Sequence, residues 1–569
     1  MTRSKLLVGV VALAACVFAG VRWWDGAGGP PQESTLALVA SLRSEPARYN
    51  RLVENSTAAD LLSLLTDDRL LRVNRATDRL EPALAESWTS STDGLTHTLT
   101  LREGLRFSDG SPMTSADVMF TVSALYDARV NSALASALKV AGQPLAFAAP
   151  DERTVTITLP SAFAPGLRLL ADLPILPRHK LEAALGNGTL RDAWRPGMPL
   201  SDRVGLGPFT LAEHVAGQRM VFTRNPHYWR HDEDGTALPY LDRLDVLIIP
   251  DQNTEALRLA AGEIDLMSNG DIRPDDYATL KQAAGEGRLR LIEAGIGLDP
   301  DFLWFNLSPK GRLPWLHDRR VRQAISYAVD RQAIADTVYL GAAVPIHGPV
   351  SPGNRTWFSD DAPKYPHDPA RARDLLAAAG FSDTNGDGTL DDGRGVPARF
   401  SILTQEGHTL RERTATMIQE QLRKVGIAVD IATTDVKSIP QRWAAGDYDA
   451  IYFGVSASST DPALNQQLWL SSGPFHFWNP GQATPATEWE ARIDDLVRRQ
   501  AASSSTEERQ RLFAEVQRIM GEEVPSIYFV APRITVAISG RVGNPMPVPQ
   551  PPQLLWSADT LSVAPGDRE

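Results

Sequence analysis

The sequence predicts an α/β architecture with mixed sheets, and three observations carry it. Strand and helix signals alternate along most of the 569 residues, the pattern of sheets covered by helices. Asp245-Val-Leu-Ile-Ile249 is an apolar run stopped by Pro250, as in a strand buried on both faces. Helical spacing follows from Thr254 to Ala261, Gly262 stands just past its end, and Ile264-Asp265-Leu266 closes a strand, helix, strand unit.

The other elements follow in order. Thr35-Leu-Ala-Leu-Val-Ala40 is a short strand, and Asp109-Gly110 marks a hairpin turn between Phe107 and Met113. Thr114 with Asp117 three residues on is a capping box that starts a helix. Gly205 and Gly207, ahead of Pro208 and Phe209, suit a tight turn into a strand. Val321, Ala324, Ile325, Ala328 and Val329 make a core-facing helix stripe. A helix over Asp368 to Gly380 and a strand over Pro397 to Thr404 flank a polar loop. Ser505 and Glu508 form a second capping box, ahead of an apolar stripe from Leu512 to Met520.

The chain is too long for one ordinary core, so two to four domains or subdomains are expected. Its 43% hydrophobic and 22% charged residues are those of a globular protein, and a net charge of −12 gives no basic footprint for nucleic acid. Zinc-protease, nucleophile-elbow and Walker motifs are missing, and a single cysteine forms no pair, so binding rather than catalysis is expected.

Asp383-Thr-Asn-Gly-Asp-Gly-Thr-Leu-Asp391 reads like the start of a calcium loop, with Asp383, Asn385, Asp387 and Asp391 as weak candidate ligands. Position 12 of such a loop needs a bidentate carboxylate, and Arg394 stands there. A polar turn is the competing account, and no cofactor is expected.

Arg3 and Lys5 precede an uncharged apolar run from Leu6 to Val21, the layout of an export signal. Leu13-Ala-Ala-Cys16 resembles the lipobox of bacterial lipoproteins, which implies lipidation of Cys16. An uncleaved signal anchor is the alternative, because the apolar run leads into Trp23 and Trp24. Both place the body outside the cytoplasmic membrane, held by a tether over Asp25 to Gln32.

Four further segments stand out by their order and spacing along the chain. The first is Pro82-Ala-Leu-Ala-Glu-Ser-Trp88 with Leu101 to Val118. Gly205-Leu-Gly-Pro-Phe209 with Arg224-Asn-Pro-His-Tyr-Trp229 follows, then Ile249-Pro-Asp-Gln-Asn-Thr254 with Gly262-Glu-Ile-Asp265. The last is Phe305-Asn306 with Val321 to Arg331. Together the four resemble the family 5 extracellular solute-binding proteins, the receptors of ABC importers for peptides, nickel and oligosaccharides.

The resemblance implies a periplasmic-binding-protein-like type II (cluster C) fold of two lobes with an extra subdomain. Residues 1–33 would be signal or anchor and tether, 34–50 the start of lobe I, 51–200 the extra subdomain, and 201–298 more of lobe I. Residues 299–532 would be lobe II, and 533–569 the return to lobe I. The implied partners are a small solute, a permease with its ATPase, and the membrane through the N-terminal anchor.

In the family's peptide receptors an aspartate three residues before an Asp-Pro pair takes the peptide amine. Here that position is Ser458, so Asp461 or another acid would have to substitute. Arg411 and Arg413, at the start of a helix, lie near where relatives bind a ligand carboxylate. Trp304, Asn306 and Trp478 complete the candidate ligand residues. The second-lobe aromatics Trp304, Trp443, Trp469, Phe475 and Trp478 either line the cleft or pack the core. The solute is expected to be an oligopeptide or peptide-like, with an oligosaccharide as the runner-up.

Overall fold

The computed structural model describes residues 36–270, 272–455 and 459–564, so Cys16 and Ser458 lie outside the described residues. Two mixed sheets organise it. The larger runs in the spatial order Phe209–Val215, Arg219–Arg224, Arg243–Ile248, Ala37–Leu42, Leu266–Met267, Val530–Ser539, Leu289–Ile296. Ala37–Leu42 is parallel to Arg243–Ile248 on one side and to Leu266–Met267 on the other, while the remaining pairs are antiparallel. The parallel step needs a crossover connection, and the helix Gln252–Ala261 supplies it. Asp251 accepts from the Thr254 N–H at its start, and Gly262 at φ 79° ends it in the left-handed conformation that glycine takes without strain.

The smaller sheet is ordered Ala428–Thr434, Arg399–Gln405, Ala450–Phe453, Phe302–Phe305, Ser526–Tyr528. All four residues of Phe302–Phe305 are buried, because helices and loops cover the sheet on both faces. A four-stranded antiparallel sheet (Ala85–Ser90, Thr96–Leu101, Thr154–Thr158, Ala146–Ala148) shares one continuous core with the larger sheet.

The chain crosses between the two main sheets at two adjacent places. It leaves after Leu289–Ile296 through Gly297 to Asp301, and returns where Ser526–Tyr528 runs through Phe529 into Val530–Ser539. Gly297 N–H donates to the Pro532 carbonyl at 2.8 Å, which ties the two crossings together, and Ile346 N–H donates to the Phe529 carbonyl of the second at 3.0 Å. Ala343–Pro345, from the second lobe, pairs with the same returning strand.

The expected caps and turns are met in part, for local reasons. Thr114 and Asp117 form the full capping box of the helix Ser115–Tyr126. At Thr506–Glu523 only half of the second box forms: Ser505 accepts from Glu508 N–H, but the Glu508 carboxylate turns to Arg511 at 2.7 Å. Gly205 and Gly207 do not sit in a left-handed turn. They are glycines because the backbone passes against the end of the helix Thr57–Thr66, where a Cβ on Gly205 would stand 1.9 Å from the Thr66 carbonyl oxygen.

Candidate functional site

The two crossings and the loops beside them enclose a cavity of about 100 Å³ that opens on the cleft. Its floor is Leu298 and Pro300 from the first crossing with Phe302 and Tyr528 from the smaller sheet. The second lobe adds Trp469, Phe477 and Trp478, and Gln550 reaches in from the first lobe. Phe302 stacks on Tyr528 with ring centroids 5.0 Å apart and meets Phe477 edge-on at 5.2 Å. Such pairs fix ring orientation as well as burying area. Burial pushes the Tyr528 phenol up to about 12, so it is neutral at ordinary pH. Asp299 is the only formally charged residue among the described lining residues.

The lobes also touch at the rim. At the tip between Leu71–Asn74 and Arg79–Pro82, Asp78 (φ 57°) pairs with Arg168 at 2.7 Å and accepts from the Thr460 hydroxyl at 2.8 Å. Ala164 N–H donates to the Ala501 carbonyl at 2.7 Å. These contacts join the extra subdomain to the second lobe across the cleft.

The expected ligand residues fall into different surroundings. Trp478 lines the cavity, and its indole N–H donates to Glu490 at 2.9 Å. Burial pushes the Glu490 carboxyl up, but His476 and Trp478, which donate to it, bring it down to about 2. Trp304 is buried behind the wall, 5.1 Å from Phe477. Asn306 holds a turn: its amide donates to the Gly446 and Tyr448 carbonyls at 3.0 Å, and its carbonyl accepts from Ser308.

Asp461 is buried and does not line the cavity. Arg509 donates to its Oδ1 at 2.5 Å, and the same oxygen caps the turn Pro462–Asn465 through Ala463 N–H. Arg411 lies inside the helix Thr409–Arg423, which begins four residues earlier than Arg413. Its guanidinium pairs with Asp301 through two hydrogen bonds, at 2.8 and 3.0 Å, and packs 4.1 Å over the Phe453 ring. The carboxylate it meets is therefore the protein's own. Arg413 is exposed and lies 3.7 Å from Asp275 of the first lobe, a solvated pair of little energetic weight.

In the loop Asp383 to Asp391, Asp383 accepts from the Gly386 and Gly388 N–H groups and Asp387 from that of Thr389. Asp391 is buried and accepts from Thr384, while Asn385 bonds Asp387. These are turn-stabilising bonds. No cluster of three or more His, Cys, Asp or Glu able to hold a metal occurs among the described residues.

Beside the second crossing, burial, then the Arg331 and Lys364 cations, push the His347 imidazole down to about 4. An unfolded chain takes up this proton near about 6.5. The stability that neutral His347 contributes is therefore complete above that pH and is lost as pH falls toward 4. His347→Gln is expected to flatten this part of the profile, read as thermal midpoints between pH 7 and 4.

The comparisons agree with this geometry. Residues 79–477 match the model of the bacterial extracellular solute-binding proteins, family 5. A probable ABC transporter-binding protein of Deinococcus radiodurans is 26% identical over 87% of each chain. The oligopeptide-binding protein AppA of Bacillus subtilis is 25% identical over 95% of this chain and 94% of its own. The crystal structure of the ABC transporter substrate-binding protein CtaP of Listeria monocytogenes superposes with a TM-score of 0.77 at 23% identity, over 93% of this chain and all of that one. Matched by the family model over most of its length, and by relatives over nearly all of it, the chain belongs to the family 5 bacterial extracellular solute-binding proteins.

Proposed function

We propose that this protein captures an oligopeptide or peptide-like solute in the cleft between its lobes and delivers it to the permease of an ABC importer. The observation that carries this is the aromatic, nearly uncharged cavity built on the two crossings, where a solute would touch both lobes. It suits a ligand held through its backbone and apolar groups. Curated relatives include an oligopeptide-binding and a dipeptide-binding protein, aligned along most of their lengths. The work is binding: closure buries the solute, and the permease reads the closed shape.

Thermal-shift screening of peptide and glycan libraries tests the solute. Stabilisation by peptides is expected, and stabilisation by glycans alone would overturn the reading. Small-angle scattering should show a more compact particle once a stabilising solute is added.

The lipobox at Cys16 supports a lipid anchor, and among the described residues no helix is long and apolar enough to cross a membrane. Cys16→Ser is expected to leave the protein at precursor size in its bacterial host. Unchanged mobility and membrane attachment would favour the signal anchor.

A further inference from the structure

We infer that the cavity at the crossings is a side-chain pocket that selects an uncharged, bulky apolar group of the solute, and rejects acidic and basic ones. The inference rests on the proposal of peptide capture and specifies what the cleft reads.

The argument starts from what the wall has left to offer. Ser351 Oγ donates to the Gly297 carbonyl at 2.6 Å, and the Asn354 amide to the Thr460 carbonyl at 2.9 Å. The Asn465 amide donates to the Ser459 carbonyl at 2.7 Å, the Thr460 hydroxyl to Asp78, and the Trp478 indole to Glu490. These polar donors are turned into the protein's own structure, so apart from the Gln550 amide and the hydroxyls of Ser459, Ser526 and Tyr528 the wall offers a ligand mainly rings and aliphatic groups. Among the described residues the Trp469 indole N–H is buried without a partner, a donor beside the rings of the wall.

Charge completes the case. No lysine, arginine or histidine lines the cavity among the described residues, so an acidic group entering it would lose its water and gain no cation. A basic group would find a single carboxylate, Asp299 on the first crossing, and would have to give up water to bury its charge among Phe302, Phe477 and Leu468. An apolar cavity of about 150 Å³ accepts benzene, and 100 Å³ open to the cleft is on the scale of one side chain. Hydrophobic burial then discriminates by size and by the absence of charge.

The test is calorimetric titration of the protein with tripeptides in which Phe, Ala, Asp or Lys occupies each position in turn between alanines. At one position the Phe peptide is expected to bind about tenfold or more tightly than the Ala peptide, with Asp and Lys weaker than Ala. Equal affinities across the series, or a preference for charge, would overturn the pocket and leave peptide capture standing. If no member binds, peptide capture falls, and the pocket with it. Leu468→Glu should erase the Phe preference and raise affinity for the Lys peptide. If the variant does not fold, the series on the unaltered protein decides alone.

Discussion

Gly205→Ala is expected to leave little folded protein. A Cβ there would lie 1.9 Å from the Thr66 carbonyl oxygen and 3.0 Å from Asp67 Oδ1, and the first of these is backbone that cannot swing aside. The Thr66 carbonyl is also held in place, because it accepts from Gly207 N–H at 3.0 Å. Beside it, Arg203 and Asp67 form a fully buried pair at 2.6 Å, and Arg203 donates to the Thr66 hydroxyl at 2.9 Å. Relief of the clash would have to move a helix end and break a buried ion pair together. A loss above ~3 kcal/mol is expected, at the upper end for overpacking. Soluble yield and the thermal midpoint check it, and a midpoint within about 2 °C of the parent would refute it.

Removing either member of the Asp461 and Arg509 pair is expected to be almost as costly. Their side chains are 5% and 9% exposed, and the guanidinium also donates to the Gln500 carbonyl and packs 4.7 Å over Trp357. Breaking a buried pair from one side leaves an uncompensated charge, worth ~3–5 kcal/mol. Asp461→Ala and Arg509→Ala should therefore lower the urea midpoint by similar amounts. Both should weaken solute binding, because Pro462 and Asn465 of the turn that Asp461 caps line the cavity. The double variant Asp461→Leu, Arg509→Met should recover much of the stability. If Asp461 instead held a peptide amine, Asp461→Ala alone would abolish peptide binding while Arg509→Ala spared it.

Much of the fold was legible locally. The cap at Thr114 and the glycine at 262 form where their chemistry puts them, and the run after Asp245 forms its strand, though it alternates buried with half-buried residues and is not buried on both faces as expected. The family motifs identified the scaffold for the same reason: they are turns, caps and packed aromatics.

The site was less legible, because its residues are defined by distant partners. Arg411 reads as a free cation at a helix start, and nothing nearby in sequence announces Asp301, 110 residues away. Asp461 stands in an Asp-Pro pair whose local chemistry suggests an exposed acid, and its partner lies 48 residues on. Phe302, Phe477 and Tyr528 look like any buried apolar residue, and only the meeting of two crossings turns their exposed edges into a wall. The glycines at 205 and 207 were recognised by type, but their cause is a neighbour more than a hundred residues earlier.

The placement of Val530–Ser539 bears on how the chain comes to be folded at all. This strand sits between Leu266–Met267 and Leu289–Ile296, and Arg533 meets Glu293 across 240 residues. A chain emerging N-terminus first would therefore synthesise the entire second lobe before the first lobe's sheet could close. Until then Leu266–Met267 is an open edge and Leu289–Ile296 has no strand partner, the kind of surface that recruits other chains. Pairing at such separation is slow, so the nascent protein needs either shielding or rapid completion, and truncation before Val530 should yield aggregate rather than a smaller receptor.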